Sequence, residues 1–136
     1  MADLYKNYDA DIYDGLITNV VPQIVTGAAT IKKLSTAGTL ARGTVLAKSS
    51  TDGKLVILGT SAGSGETLAP YGILCDDTEV GTAEDVNALV YLAGSFDPDR
   101  LIVKENYTMT AGDIAALRDG GIYLKAQIDA DYVQSN

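Results

Sequence analysis

The pattern of apolar and polar positions predicts a series of short β-strands separated by glycine-rich turns. Blocks of apolar and β-branched residues recur at 24–34, 44–48, 54–58, 71–75, 85–94 and 122–124. Runs of this length and composition favour strands. Two of these blocks flank Asp52-Gly53, a dipeptide typical of tight hairpin turns. Residues 36–38 and 41–43 predict further turns, and residues 59–66 predict a loop rich in glycine and serine.

The longest strand block, at 85–94, has two apolar faces. Its two alternating sets are Val86, Ala88, Val90 and Leu92 on one face and Asn87, Leu89, Tyr91 and Ala93 on the other. Successive residues of a strand point to opposite faces of a sheet. Because the second set is nearly as apolar as the first, we predict that both faces of this strand are covered.

One helix is predicted, over residues 111–119. Thr110 is a suitable N-cap, and Asp113 stands three residues later, where it can complete a capping box. Ile114 and Leu117 fall on one side of the helix. The pair at 120–121 is Gly-Gly, which we expect to end the helix in left-handed conformations.

The first 25 residues differ in pattern from the rest. Residues 1–15 hold four aspartates and three tyrosines and follow neither the helical nor the strand period. Tyrosine is favoured at protein interfaces because it is large, stiff and amphipathic. We therefore predict that residues 1 to about 15 lie outside the core. The expected boundaries are an N-terminal arm at 1–25 and a core domain at 26–128. An acidic, exposed tail follows at 129–136. The alternative for the arm is a terminus without a partner.

Composition and charge narrow the possible partners. A chain of 136 residues, 46% hydrophobic and 21% charged, predicts one globular domain. The net charge of −8 repels phosphate backbones, so we expect no nucleic-acid partner. The longest apolar runs are too short to cross a bilayer, so we expect no membrane partner. The only cysteine, Cys75, lies in a strand pattern and is predicted to be a buried, inert thiol.

Candidate catalytic and metal-binding motifs are incomplete. Residues 59–63 spell G-x-S-x-G, but the chain contains no histidine to activate a serine nucleophile. A calcium loop starting at Asp9 would need an oxygen ligand at Tyr13 and a glutamate at Val20. We therefore predict no catalytic residues, no metal, no cofactor and no enzymatic activity.

The order of sequence blocks resembles the head decoration proteins of tailed bacteriophages, the family of the lambda head decoration protein. The blocks that carry the resemblance are G-T-V-L-A-K at 43–48, T-D-G-K at 51–54, G-S-G-E-T at 63–67, Y-G-I-L at 71–74 and L-R-D-G-G-I-Y-L at 117–124. The ordered series of blocks carries the resemblance and spans about two thirds of the chain.

The resemblance implies both a fold and a function. The expected fold is an α+β, β-rich class, a compact β-barrel or tulip-like domain with one short helix and an extended N-terminal arm. The implied function is that of a capsid decoration, or cement, protein made in the host cytoplasm. Such proteins form homotrimers on the outer surface of the expanded head, at threefold and local threefold positions. They bind the major capsid protein and stabilise the virion against internal DNA pressure.

The arm is the expected contact with the major capsid protein, by its position rather than by a matched motif. An extended arm that adds a strand to a sheet edge places alternate side chains in pockets. The residues predicted to bind are the tyrosines and apolar residues of this segment, Tyr5, Tyr8, Tyr13, Ile17, Val20, Val21 and Ile24. The alternative function is a trimeric phage adhesin or tail-associated binding module, which is also β-rich and acidic.

Overall fold

A computed structural model describes residues 15–19 and 23–125 of the chain. The described residues form nine strands, one α-helix and one 3-10 helix. In chain order these are β1 (Ile17–Asn19), β2 (Val25–Ile31), β3 (Gly38–Leu40), β4 (Val45–Ser49), β5 (Leu55–Ile57), β6 (Leu68–Leu74), β7 (Thr78–Val80), β8 (Val86–Phe96), the 3-10 helix (Pro98–Arg100), α1 (Ala111–Gly120) and β9 (Ile122–Leu124).

Five strands close into a barrel in the order β8-β2-β5-β4-β6, with β6 returning to β8. The barrel has one long antiparallel pairing, β2 with β8, and one parallel contact, where Ile31 stands opposite Leu55. Strands β1 and β9 both pair with the end of β8, and β3 pairs with β7 in a separate ribbon. The predicted β-rich α+β fold with a barrel and one short helix is confirmed.

The barrel strands separate two apolar layers. In β4, Leu46 packs on one side while Val45 and Ala47 pack on the other, as the alternation of a strand requires. The inner layer fills the barrel and comprises Ile31, Leu46, Leu55, Leu74, Val80 and Val90. The outer layer lies between the barrel and the elements that cover it, and comprises Leu16, Val45, Ala47, Leu58, Ile73, Cys75, Tyr91, Phe96, Leu117 and Ile122.

The predicted hairpin and helix are both present. Strands β4 and β5 pair antiparallel, and Gly53 takes the left-handed conformation that the turn between them requires, with φ 72°. At the start of α1, Thr110 and Asp113 form the predicted capping box. The end of α1 differs from the prediction, because Gly120 still belongs to the helix and only Gly121, with φ 110°, is left-handed.

Three predictions about strands and burial are wrong. Strand β6 begins at Leu68 rather than at residue 71, because its first residues pair with β4. Strand β8 is not covered on both faces along its whole length, since Leu89 is 54% exposed. The core also begins before residue 26, because Leu16 is only 2% exposed in the outer layer. Strands β1, β3 and β7 were not predicted, as runs of three residues carry too little pattern.

Candidate interaction surface

The N-terminal end of the described chain is anchored in the outer layer. The carbonyl oxygen of Leu16 accepts a hydrogen bond from the amide of Asp97 at 2.8 Å, and the Leu16 side chain is buried. Strand β1 then pairs with the end of β8, where Ile17 stands opposite Phe96. Any segment that precedes Gly15 is therefore tethered to the body beside the end of β8.

The seven residues predicted to bind a capsid divide into two groups. Ile17 and Ile24 are described, and both are partly buried and pack against the outer layer. Their contacts attach the N-terminal segment to the body, and no residue of a partner is needed to explain their apolar character. The other five lie outside the described residues, and they are Tyr5, Tyr8, Tyr13, Val20 and Val21.

A second apolar surface lies on β2 and β8, and the sequence pattern did not reveal it. Leu89 and Val25 are 54% and 47% exposed, and Ala28, which stands opposite Leu89 across the two strands, is exposed too. Val25 stands opposite Ala93, further along the same two strands. Large apolar side chains exposed on one pair of strands indicate a possible contact with another chain. The alternating pattern of β8 could not show this, because it does not tell which face another element covers.

Arg42 fixes the turn before β4 to the outer layer. Its Nη1 atom donates to the carbonyl oxygen of Cys75 at 2.8 Å and to the Tyr91 hydroxyl at 2.6 Å, while its backbone amide donates to Asp77 at 2.8 Å. The guanidinium also lies 5.5 Å from the centre of the Tyr91 ring, within the range of cation–π attraction. These contacts hold two strands and a turn together and are structural.

Cys75 is buried, as predicted. Burial, and secondarily the negative charge of Asp76, raise the pKa of its thiol to about 11. At neutral pH the thiol is protonated and therefore a poor nucleophile, since the thiolate is the reactive form.

The loop predicted at 59–66 is held in place by Glu66. Its Oε1 atom accepts from the amide of Gly63 at 2.8 Å, and its Oε2 atom accepts from the buried Ser49 hydroxyl. These hydrogen bonds, the Gly63 amide first, hold the pKa of the Glu66 carboxyl below its usual value. Ser61, the serine of the G-x-S-x-G sequence, is exposed in this loop. The hydrogen bonds of Glu66 are structural contacts that fix this loop.

Two grooves lie on the part of the body that the structure describes. One groove of about 410 Å³ lies beside the β3–β7 ribbon and includes one carboxylate, that of Glu79. Another, of about 420 Å³, lies on β4 and β6, where the Lys48 ammonium stands over the Tyr71 ring. Within residues 15–19 and 23–125, no three acidic or cysteine side chains come together in a way that could hold a metal ion. No helix of that part of the chain is long and apolar enough to cross a bilayer.

The fold and its surfaces define a small structural or binding domain, a five-stranded barrel with an anchored N-terminal segment and an exposed apolar surface. The model of the bacteriophage lambda head decoration protein D family matches residues 9–122, which is most of the chain. The chain therefore belongs to the bacteriophage lambda head decoration protein D family, as the sequence resemblance predicted. No curated protein matches the chain significantly.

Membership in this family settles the coarse function. The family consists of structural proteins of the phage head rather than enzymes, so the chain has a capsid decoration role and belongs to the virion. Its partner is the phage capsid.

Proposed function

We propose that this protein is a cement protein that binds the outer surface of the expanded phage head as homotrimers. The trimers occupy threefold and local threefold positions, contact the major capsid protein and stabilise the head against internal DNA pressure. The family match over residues 9–122 is the observation that carries this proposal.

The proposed contact is the N-terminal arm, acting together with the body to which it is tethered. An extended segment that joins a sheet edge gains main-chain hydrogen bonds, and its alternate side chains gain pockets. Ordering the backbone costs about 1–2 kcal/mol per residue, so a single arm binds weakly. Several arms on one oligomer raise the effective affinity, because each later contact forms at a high local concentration.

Removing the residues before Gly15 separates the role of the arm from that of the body. Removal of residues 1–14 leaves every described residue in place, including the buried Leu16 and its hydrogen bond with Asp97. We expect the truncated protein to fold and to keep its oligomeric state, which light scattering measures. We also expect it to lose the coating of capsids.

Cosedimentation with expanded, undecorated capsids tests the proposal. The full chain should bind saturably, at a fixed ratio to capsid subunits, and should raise the temperature at which the heads break. Normal coating by the truncated protein would contradict the role of the arm. A stable trimer that does not bind capsids at all would contradict the cement function and favour the adhesin or tail-associated module.

A further inference from the structure

We propose that the free edge of β2 is a second contact with the head, at which an extended strand of the major capsid protein adds to the barrel. This inference rests on the proposed function and names a site on the body, separate from the N-terminal arm.

The backbone of β2 is satisfied on one side only. The strand pairs with β8 along its whole length, whereas its pairing with β5 is limited to Ile31 and Leu55. The amide of Lys32 donates to the Leu55 carbonyl oxygen at 2.9 Å, and no pairing with β5 occurs earlier in β2. Among the described residues, the edge from Val25 to Ala29 therefore has no partner strand.

The direction of the free groups follows from the hydrogen bonding of β8. The carbonyl oxygen of Leu89 accepts from the Cys75 amide at 3.1 Å, so the polar groups of Leu89 point towards β6 and away from β2. Ala28 stands opposite Leu89, which makes this a non-hydrogen-bonded pair of the antiparallel ladder. The N–H and C=O groups of Ala28 consequently point to the free edge, and those of Thr26, two residues earlier, do the same.

This edge lacks two of the devices that usually protect an exposed strand. Natural proteins block such edges with charged residues or proline. Residues 25–30 read V-T-G-A-A-T and contain neither. Strand β6 offers a contrast, because its first residues also pair on one side only, with β4, and Pro70 lies among them. A proline has no N–H to donate to an added strand.

The side chains around the edge suit an added strand. Val25 and Leu89 are exposed and apolar, and they can cover apolar side chains of an incoming segment. Leu89 stands opposite Ala28, and residues 27–29 of β2 are all small, namely Gly27, Ala28 and Ala29. Main-chain hydrogen bonds would supply affinity, and the exposed apolar side chains would supply specificity.

Symmetry and charge favour the capsid protein over a second copy of this chain. Pairing of β2 with β2 relates two copies by a twofold axis and makes a dimer, whereas the proposed oligomer has threefold symmetry. The net charge of −8 favours a neutral or basic partner. The expected occupant is therefore an extended, uncharged or basic capsid segment with alternating apolar side chains.

Two matched variants of the full chain test this site. Ala28 and Ala69 are both exposed alanines, and the parts of β2 and β6 in which they lie pair with a neighbouring strand on one side only. Ala28→Lys should weaken binding to expanded capsids about tenfold or more, since several hydrogen bonds and apolar contacts are lost. Ala69→Lys should bind like the unchanged protein. Ala28→Pro, which removes the free N–H without touching a bond to β8, should weaken binding in the same way.

Amide hydrogen exchange of the Thr26 and Ala28 groups completes the test. Both amides should exchange quickly in the free protein and slowly on capsids, while Gly27 and Ala29, which face β8, are protected in both. Equal capsid binding by the two lysine variants would overturn the inference and leave the cement function intact. Protection of Thr26 and Ala28 in the free protein would overturn it too, by showing that this chain covers its own edge. Failure of the unchanged protein to bind capsids would overturn both proposals.

Discussion

The inner and outer layers lie on opposite sides of the same barrel strands, yet they are enclosed in different ways. The inner layer is built from residues between Ile31 and Val90, and five of its six residues lie on the barrel strands that close around it; the sixth, Val80, lies on β7. The outer layer needs Leu16 from one end of the described chain and Leu117 and Ile122 from the other. The inner layer is thus self-contained, whereas the outer layer ties the N-terminal segment to the body.

The largest expected effects come from emptying either layer. Phe96→Ala in the outer layer should lower the free energy of unfolding by about 3–5 kcal/mol, and Leu46→Ala in the inner layer by about 2–5 kcal/mol. Chemical denaturation measures both. The comparison predicts a further difference, because Phe96 stands opposite Ile17. Only Phe96→Ala should speed amide exchange in β1, and an equal effect of Leu46→Ala on β1 would contradict the separation of the layers.

A smaller effect is expected where the backbone of β6 lies close to that of β8. A Cβ atom on Gly72 would lie 2.8 Å from the carbonyl oxygen of Tyr91, which is closer than packed atoms allow. Gly72→Ala should therefore push β6 from β8 and cost about 1–3 kcal/mol of stability. Gly38→Ala is the control, since a Cβ there meets nothing within 4 Å. Equal melting temperatures for the two variants would show that β6 and β8 accommodate the added methyl group without loss of stability.

The cover of the outer layer can be weakened alone by removing the helix cap. Thr110→Ala breaks the capping box of α1 and should lower the free energy of unfolding by about 1 kcal/mol.

Because Cys75 belongs to the outer layer, the reactivity of its thiol reports on how well that layer is covered. In the unchanged protein it should react slowly with a thiol reagent at neutral pH, since burial raises its pKa to about 11. Rapid reaction of the native protein would contradict the burial of Cys75.

The smallest expected effect is a pH dependence confined to the outer side. Ser49 alternates with Val45 and Ala47, so its hydroxyl, bound to Glu66, lies on the outer side of β4. The folded state lowers the pKa of Glu66 below its usual 4.5. Its contribution to stability is therefore complete above that value and is lost as the pH falls through the lowered pKa.

Unfolding measured from neutral pH into acid tests this dependence. Glu66→Gln should destabilise the protein most at neutral pH, and its difference from the unchanged protein should shrink in acid. Glu84→Gln, at an exposed position, is the control. A difference between Glu66→Gln and the unchanged protein that stays constant from neutral pH into acid would contradict the role of the Glu66 carboxylate.

The amino-acid sequence alone determined the features that neighbouring residues decide. Asp52-Gly53 predicted the hairpin, and Thr110 with Asp113 predicted the start of the helix, because turns and caps depend on residues a few positions apart. The absence of histidine and the ordered sequence blocks also identified the class of protein, and the family match confirmed it.

Only the tertiary structure decided which residues belong to the core and which to the surface. The closure of the barrel through Ile31 and Leu55 joins residues far apart in the chain, and no local pattern encodes it. The same holds for Leu16, which the pattern placed in the arm and which is buried, and for Leu89, which it placed under cover and which is exposed. Burial depends on what packs against a face, and alternation along a strand shows only that two faces exist.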